Sequence, residues 1–78
     1  MRLLDTATLT LDTFVGDIIP TYAILSHTWG EDEVLFEDIQ DASTTQWKKK
    51  IGAPKIIKSA AKASKYGFSY IWIDTCCL

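Results

Sequence analysis

The chain is poor in the residues that announce a chemistry. It has two cysteines, and they are neighbours, Cys76 and Cys77. Adjacent cysteines close only a strained small ring, so a secreted disulfide framework is not expected. Reduced thiols in a reducing compartment are the simpler reading, with Cys76 and Cys77 as small buried apolar residues and a nucleophilic role as the lesser alternative. There is one histidine and no Cys-x-x-Cys spacing, so no zinc signature is present. The four glycines, Gly16, Gly30, Gly52 and Gly67, stand apart, and no glycine-rich phosphate loop can be built from them. No apolar run approaches the roughly 20 residues of a membrane-spanning helix, and no charged-then-apolar segment resembles a signal peptide. A soluble, cytoplasmic protein is the default expectation.

What is present is apolar and aromatic. Of 78 residues, 47% are hydrophobic, which excludes a disordered composition and limits the chain to one small domain. Chains of roughly 60 residues bury only about 60% of their unfolded surface, so stability is expected to be marginal. The net charge of −2 hides an asymmetry: residues 1–45 carry nine acids and one base, Arg2, whereas residues 46–66 carry seven lysines and no acid. The simple reading is a solvated acidic segment beside a solvated basic helix. A nucleic-acid surface lacks the arginines and the strongly basic balance it needs.

The chain is organised around Tyr22-Ala23-Ile24-Leu25-Ser26-His27-Thr28-Trp29-Gly30. Its first half is apolar throughout and reads as a strand at 22–27, dry on both faces as parallel central strands are. Pro20 favours an extended entry. Its second half gathers three hydrogen-bonding side chains, a large aromatic surface and a glycine. Before it, Met1 to Phe14 alternates weakly and predicts two short edge strands near 2–4 and 8–11. After it, Glu31-Asp32-Glu33 leads into a short segment with a helical turn at 36–39, and residues 41–45 form a polar loop.

From Pro54 to Tyr66 the pattern is helical. Ile56, Ile57, Ala60 and Ala63 share one side, and Lys55, Lys58, Lys62 and Lys65 the other. Pro54 suits the first turn and Gly67 the C-terminal cap. Tyr70-Ile71-Trp72-Ile73 follows, rich in β-branched and aromatic residues, and predicts a strand at 69–74. Strand, helix and strand in this order predict a parallel pair joined by a right-handed crossover. Such a unit leaves one sheet face open, so Ile71, Trp72 and Ile73 are expected to lack a covering layer. Residues 1–78 are expected to be part of a larger domain, poorly soluble or partly unfolded in isolation.

Parallel neighbours end side by side, about 4.8 Å apart. This places Ser26, His27 and Thr28 towards Asp74, Thr75 and Cys76. Ser26, His27, Trp29 and Asp74 are the candidate crevice. Two roles stay open for each polar member. Asp74 either fixes the tautomer of His27 or holds a ligand, or it braces the following loop through backbone N–H groups. His27 either takes part in that pair or caps the strand, and Trp29 is either a platform or core.

Two stretches, Tyr22 to Gly30 and Tyr70-Ile71-Trp72-Ile73-Asp74-Thr75-Cys76-Cys77, resemble the first two sequence blocks of the fungal heterokaryon-incompatibility (HET) domain. Met1-Arg2-Leu3-Leu4-Asp5 resembles the usual start of proteins carrying that domain, and Gly30-Glu31-Asp32-Glu33-Val34 and the spacing through Lys55-Ile56 to Gly67 also fit. Leu78 departs from the usual Ile. The resemblance implies that residues 1–78 are the N-terminal part of an incomplete HET domain acting in non-self recognition and programmed cell death, with protein partners or self-association. It also implies an α/β fold with a partial parallel sheet similar to Toll/interleukin-1-receptor (TIR) and flavodoxin-like domains. Some TIR domains cleave NAD with a glutamate on a later helix. In this family that residue would lie beyond Leu78, because none of Glu31, Glu33 and Glu37 matches its place. NAD therefore enters only for the complete domain, and no cofactor is expected for these residues.

Overall fold

The computed structural model describes residues 1–25, 30–41 and 43–77. Four strands form one sheet: β1 (Arg2–Asp5), β2 (Leu11–Thr13), β3 (Ala23–Leu25) and β4 (Tyr70–Ile73). Between β3 and β4 lie a single-turn helix α1 (Phe36–Ile39), a 3₁₀ turn (Gln46–Lys49) and the long helix α2 (Ala53–Lys65). The predicted helix and the two apolar strands are all present, and β3 pairs with β4 in parallel, Leu25 opposite Ile73.

The sheet is nevertheless mixed, in the order β2-β1-β4-β3. β1 runs antiparallel to both β2 and β4, with Leu4 opposite Leu11 on one side and Ile71 on the other. The N-terminal strand is therefore interior, not an edge, and this corrects the expected parallel sheet. β2 also begins later than expected. Residues 6–10 are needed for a turn: the Asp5 carboxylate accepts from the N–H groups of Ala7 and Thr8 at 2.8 and 3.0 Å, and Leu9 takes a left-handed φ of 59°. The turn is tied to β4 by Thr6, whose N–H and hydroxyl donate to the carbonyls of Ser69 and Phe68, each at 2.9 Å.

β3 is correspondingly the edge, not the centre. Ile24 is 65% exposed, so this strand is not dry on both faces. Paired residues share a sheet face and successive ones alternate. Leu4, Ile71, Ile73, Ala23 and Leu25 lie on one face; Leu3, Trp72 and Ile24 lie on the other. The first face holds the main core, where Leu4, Ile71 and Ile73 cluster with Val34, Ile39, Trp47, Ala53, Ile56 and Ala63. Ile71 and Ile73 are fully covered, against expectation, because α1, the 3₁₀ turn and α2 all add side chains above them. Trp72, on the opposite face, is half-buried.

Helix α2 packs through Ile56, Ala60 and Ala63. Ile57, assigned to the same side from its spacing, is 37% exposed. It sits at the margin of a narrow stripe whose small alanines bring the helix close to the sheet, so the packed arc excludes it. Lys58, Lys62 and Lys65 face solvent as expected. At the C-terminus, Gly67 adopts φ 88°, and the Phe68 N–H closes the helix on the Ala63 carbonyl at 3.0 Å.

Candidate functional site

Because β3 and β4 are parallel and in register, Leu25 and Ile73 end their strands at the same end of the sheet. The connection through α2 returns the chain, so the N-terminus of α2 stands at that end too. The carboxyl end of β3, the Asp74-Thr75 turn and Gly52 to Lys55 thus lie at one end of the sheet. Ser26, His27, Thr28 and Trp29 lie outside the described residues, and with them the expected contact of His27 with Asp74. Asp74 is described. It is half-buried, and its Oδ1 is a buried atom. Thr75 beside it is buried as well.

The acidic segment is not the solvated run that its composition implies. Glu33 is 6% exposed. Its Oε2 accepts the Gly30 N–H at 2.6 Å and the Lys55 ammonium at 2.8 Å. Gly30 closes the polar half of the organising stretch, and Lys55 belongs to the first turn of α2. Glu33 therefore joins that stretch to the helix N-terminus, where the backbone dipole also favours a carboxylate. On either side of it, Asp32 and Asp38 reach the segment before α2. The Asp32 carboxylate accepts the Ile51 N–H at 3.0 Å, and its carbonyl accepts the Gly52 N–H at 3.0 Å. The Lys50 ammonium donates to Asp38 at 2.8 Å and lies 3.6 Å from Asp32. Hydrogen bonds from Lys50 and from the Leu35 N–H hold the Asp38 carboxyl below the usual carboxylate range.

Sequence reasoning missed Glu33. The available signal was its place between Gly30, whose N–H it binds, and Gly52, which has no room for a side chain, but nothing in one sequence says that the three meet. The buried carboxylate also changes the electrostatics of this end. The positive end of α2 and Lys55 already face an anion of the protein itself, which lowers their attraction for an external phosphate.

Cys76 and Cys77 are free and buried, with their sulfurs 3.9 Å apart. The Cys77 thiol points to the Ile71 carbonyl at 3.8 Å. Donation of the Cys76 proton to the Cys77 sulfur and then burial push the Cys76 thiol far above its ordinary range. Both side chains belong to the core cluster, which is the packing role assigned to them and not that of a nucleophile. Among the described residues, no group of three or more His, Cys, Asp or Glu side chains is placed to hold a metal ion. No helix among them is long and apolar enough to cross a membrane.

Residues 22–78, which include both apolar strands and the polar stretches that end them, match the family described as Heterokaryon incompatibility protein (HET). The chain belongs to the HET family. It is 45% identical over 62 residues to the Vegetative incompatibility protein HET-E-1 of Podospora anserina. That similarity covers 77% of this chain and 4% of the relative, so the HET sequence described here corresponds to a small part of that protein's length. No solved structure matches the chain. Within this HET sequence, both parallel strands fall in the matched residues, and Glu33 lies in the segment between them.

Proposed function

We propose that residues 1–78 are the N-terminal part of a HET domain that acts in non-self recognition and signals programmed cell death. The observation that supports this best is the family match, which runs through both blocks, together with the register that sets Leu25 beside Ile73. On this reading the carboxyl ends of the two strands serve one recognition surface rather than two unrelated motifs. The protein works by protein contacts or self-association. In the whole domain the sheet is TIR- or flavodoxin-like; the parallel β3–α2–β4 unit supports this, and the antiparallel β1 is an addition to it.

The test is expression of the complete domain in a filamentous fungus, with cell death and total NAD measured together. Death is expected with the unaltered domain and is expected to be lost with Asp74→Asn at equal protein abundance. His27→Ala should match Asp74→Asn, and the double variant should be no worse than either. Absence of death with abundant, folded, unaltered domain overturns the reading. Full killing by Asp74→Asn removes Asp74 from it. A rapid fall in NAD preceding death would replace a signalling module by a nucleotide-cleaving effector whose catalytic glutamate lies beyond Leu78.

A further inference from the structure

The loop between β2 and β3 is apolar and stands in water. Val15 is 82% exposed, Ile18 88% and Ile19 40%, around a turn in which Gly16 takes a φ of 71°. Aliphatic side chains gathered on an exposed turn mark a contact surface. Phe14, which opens the loop, sets its ring edge-on to Tyr70 at 5.2 Å. Tyr70 alternates with Ile71 of the core, so the loop starts on the face of the sheet away from α2. The second open feature lies beside α2. A groove of about 310 Å³ runs between β3 and the second half of that helix. It is lined by the three residues of β3 and by Ala63 and Phe68, with the exposed Lys62 and Tyr66 on its rim. The groove is at the small end of the range for pockets that enclose a whole small molecule, roughly 300–1,000 Å³.

We propose that the groove receives the loop 15–19 of a second copy of this chain. This rests on the reading of the protein as one that works through protein contacts, and it names the two surfaces. Charge selects the occupant. Asp17 lies between Val15 and Ile18 in the loop, and Lys62 stands on the rim of the groove. Among the described residues neither of them makes an ion pair. An aliphatic loop with one carboxylate thus matches an aliphatic groove with one ammonium. Within one molecule the two do not meet, since Ile18 is in water. A symmetric pairing of two β3 edges fits less well. With antiparallel strands its two-fold axis is perpendicular to the sheet and keeps both α2 helices on one side, so Lys62 of one copy turns towards Lys62 of the other. A membrane fits less well again, because Asp17 would enter the lipid with its aliphatic neighbours. Loop and groove are different surfaces, so the contact is head-to-tail and leaves each end of the assembly with one surface free. Such contacts propagate into rings or filaments.

Sedimentation velocity of the full chain tests this, over a range of concentrations and in preparations that melt cooperatively. The unaltered protein is expected to grow beyond a dimer as its concentration rises. Ile18→Asp should weaken the association about 10- to 100-fold, the worth of one buried aliphatic side chain. Asp17→Lys and Lys62→Glu should each weaken it about 5-fold. An equimolar mixture of these two should recover it, because the altered loop of one meets the altered groove of the other. Lys48→Glu, the same change of charge on the 3₁₀ turn, should leave it as it was. Unaltered protein that stays monomeric while folded overturns the proposal, as does a mixture no stronger than its components. A species that stops at the dimer also overturns it, in favour of a symmetric pairing. Assembly without cell death counts against the functional reading and leaves this one standing; cell death by a monomeric domain does the reverse.

Discussion

Gly52 lies against Glu33 so closely that a side chain on the glycine would have no room. A Cβ built there stands 2.6 Å from Glu33 Oε1, 2.9 Å from the Glu33 Cα and 3.1 Å from the Asp32 carbonyl oxygen. The Gly52 φ is −77°, so the requirement for glycine is one of space and not of backbone conformation. Two of these neighbours are backbone atoms that cannot swing aside. The apposition brings the acidic segment onto the start of α2 and lets Lys55 reach the buried carboxylate.

Gly52→Ala is therefore expected to destabilise the fold. Forcing one methyl into a well-packed site costs typically about 1–3 kcal/mol. Chemical denaturation should show the loss, whereas Gly16→Ala should cost less: nothing lies within 4 Å of its Cβ, although its φ of 71° adds some strain. An unchanged midpoint for Gly52→Ala would show that the segments before and after α1 are not packed as described.

Acid should loosen the contact between α1 and the segment before α2. The Asp38 carboxyl is held below its ordinary value by Lys50 and the Leu35 N–H. A depressed folded pKa contributes stability that is complete above the unfolded value, about 3.9, and is lost as pH falls through the folded one. The wild-type chain should thus lose stability below about pH 4, and Asp38→Asn should flatten part of that acid limb. Melting curves between pH 2 and 6 would check this; parallel curves for the two proteins would contradict it.

The two neighbouring isoleucines of α2 should behave differently. Ile56 is 1% exposed and Ile57 37%. Ile56→Ala removes buried methyl groups from the core cluster and should cost about 2–5 kcal/mol. Ile57→Ala should cost less than about 1 kcal/mol, because its side chain is already partly in water and alanine favours the helix. Equal effects would mean that α2 is rotated on the sheet.

The local elements of this chain were legible in its sequence. Helix α2 follows from the spacing of Ile56, Ala60 and Ala63 against the lysines, and from Pro54 and Gly67 at its ends. β4 follows from Tyr70 to Ile73, and the parallel pairing of β3 and β4 from the helical crossover between them. Each of these depends on neighbours within a few residues, or on a chirality rule that holds for any chain. The family blocks were legible for the same reason, as continuous strings.

What the tertiary structure decided is what those elements meet. Leu4 and Ile71 pair across 67 positions, and no local pattern announces that an N-terminal hairpin will enter the sheet beside β4. That insertion makes β1 interior. β3 lies at the edge because no strand is described on its far side, so an apolar run that reads as buried on both faces leaves Ile24 in water. Glu33 shows the converse. As one of three consecutive acids it reads as solvated, and only the arrival of Gly30, Gly52 and Lys55 around it makes a buried, paired carboxylate. Burial is a property of the assembled surfaces, whereas a sequence specifies directly only the periodicity with which each segment can offer an apolar face.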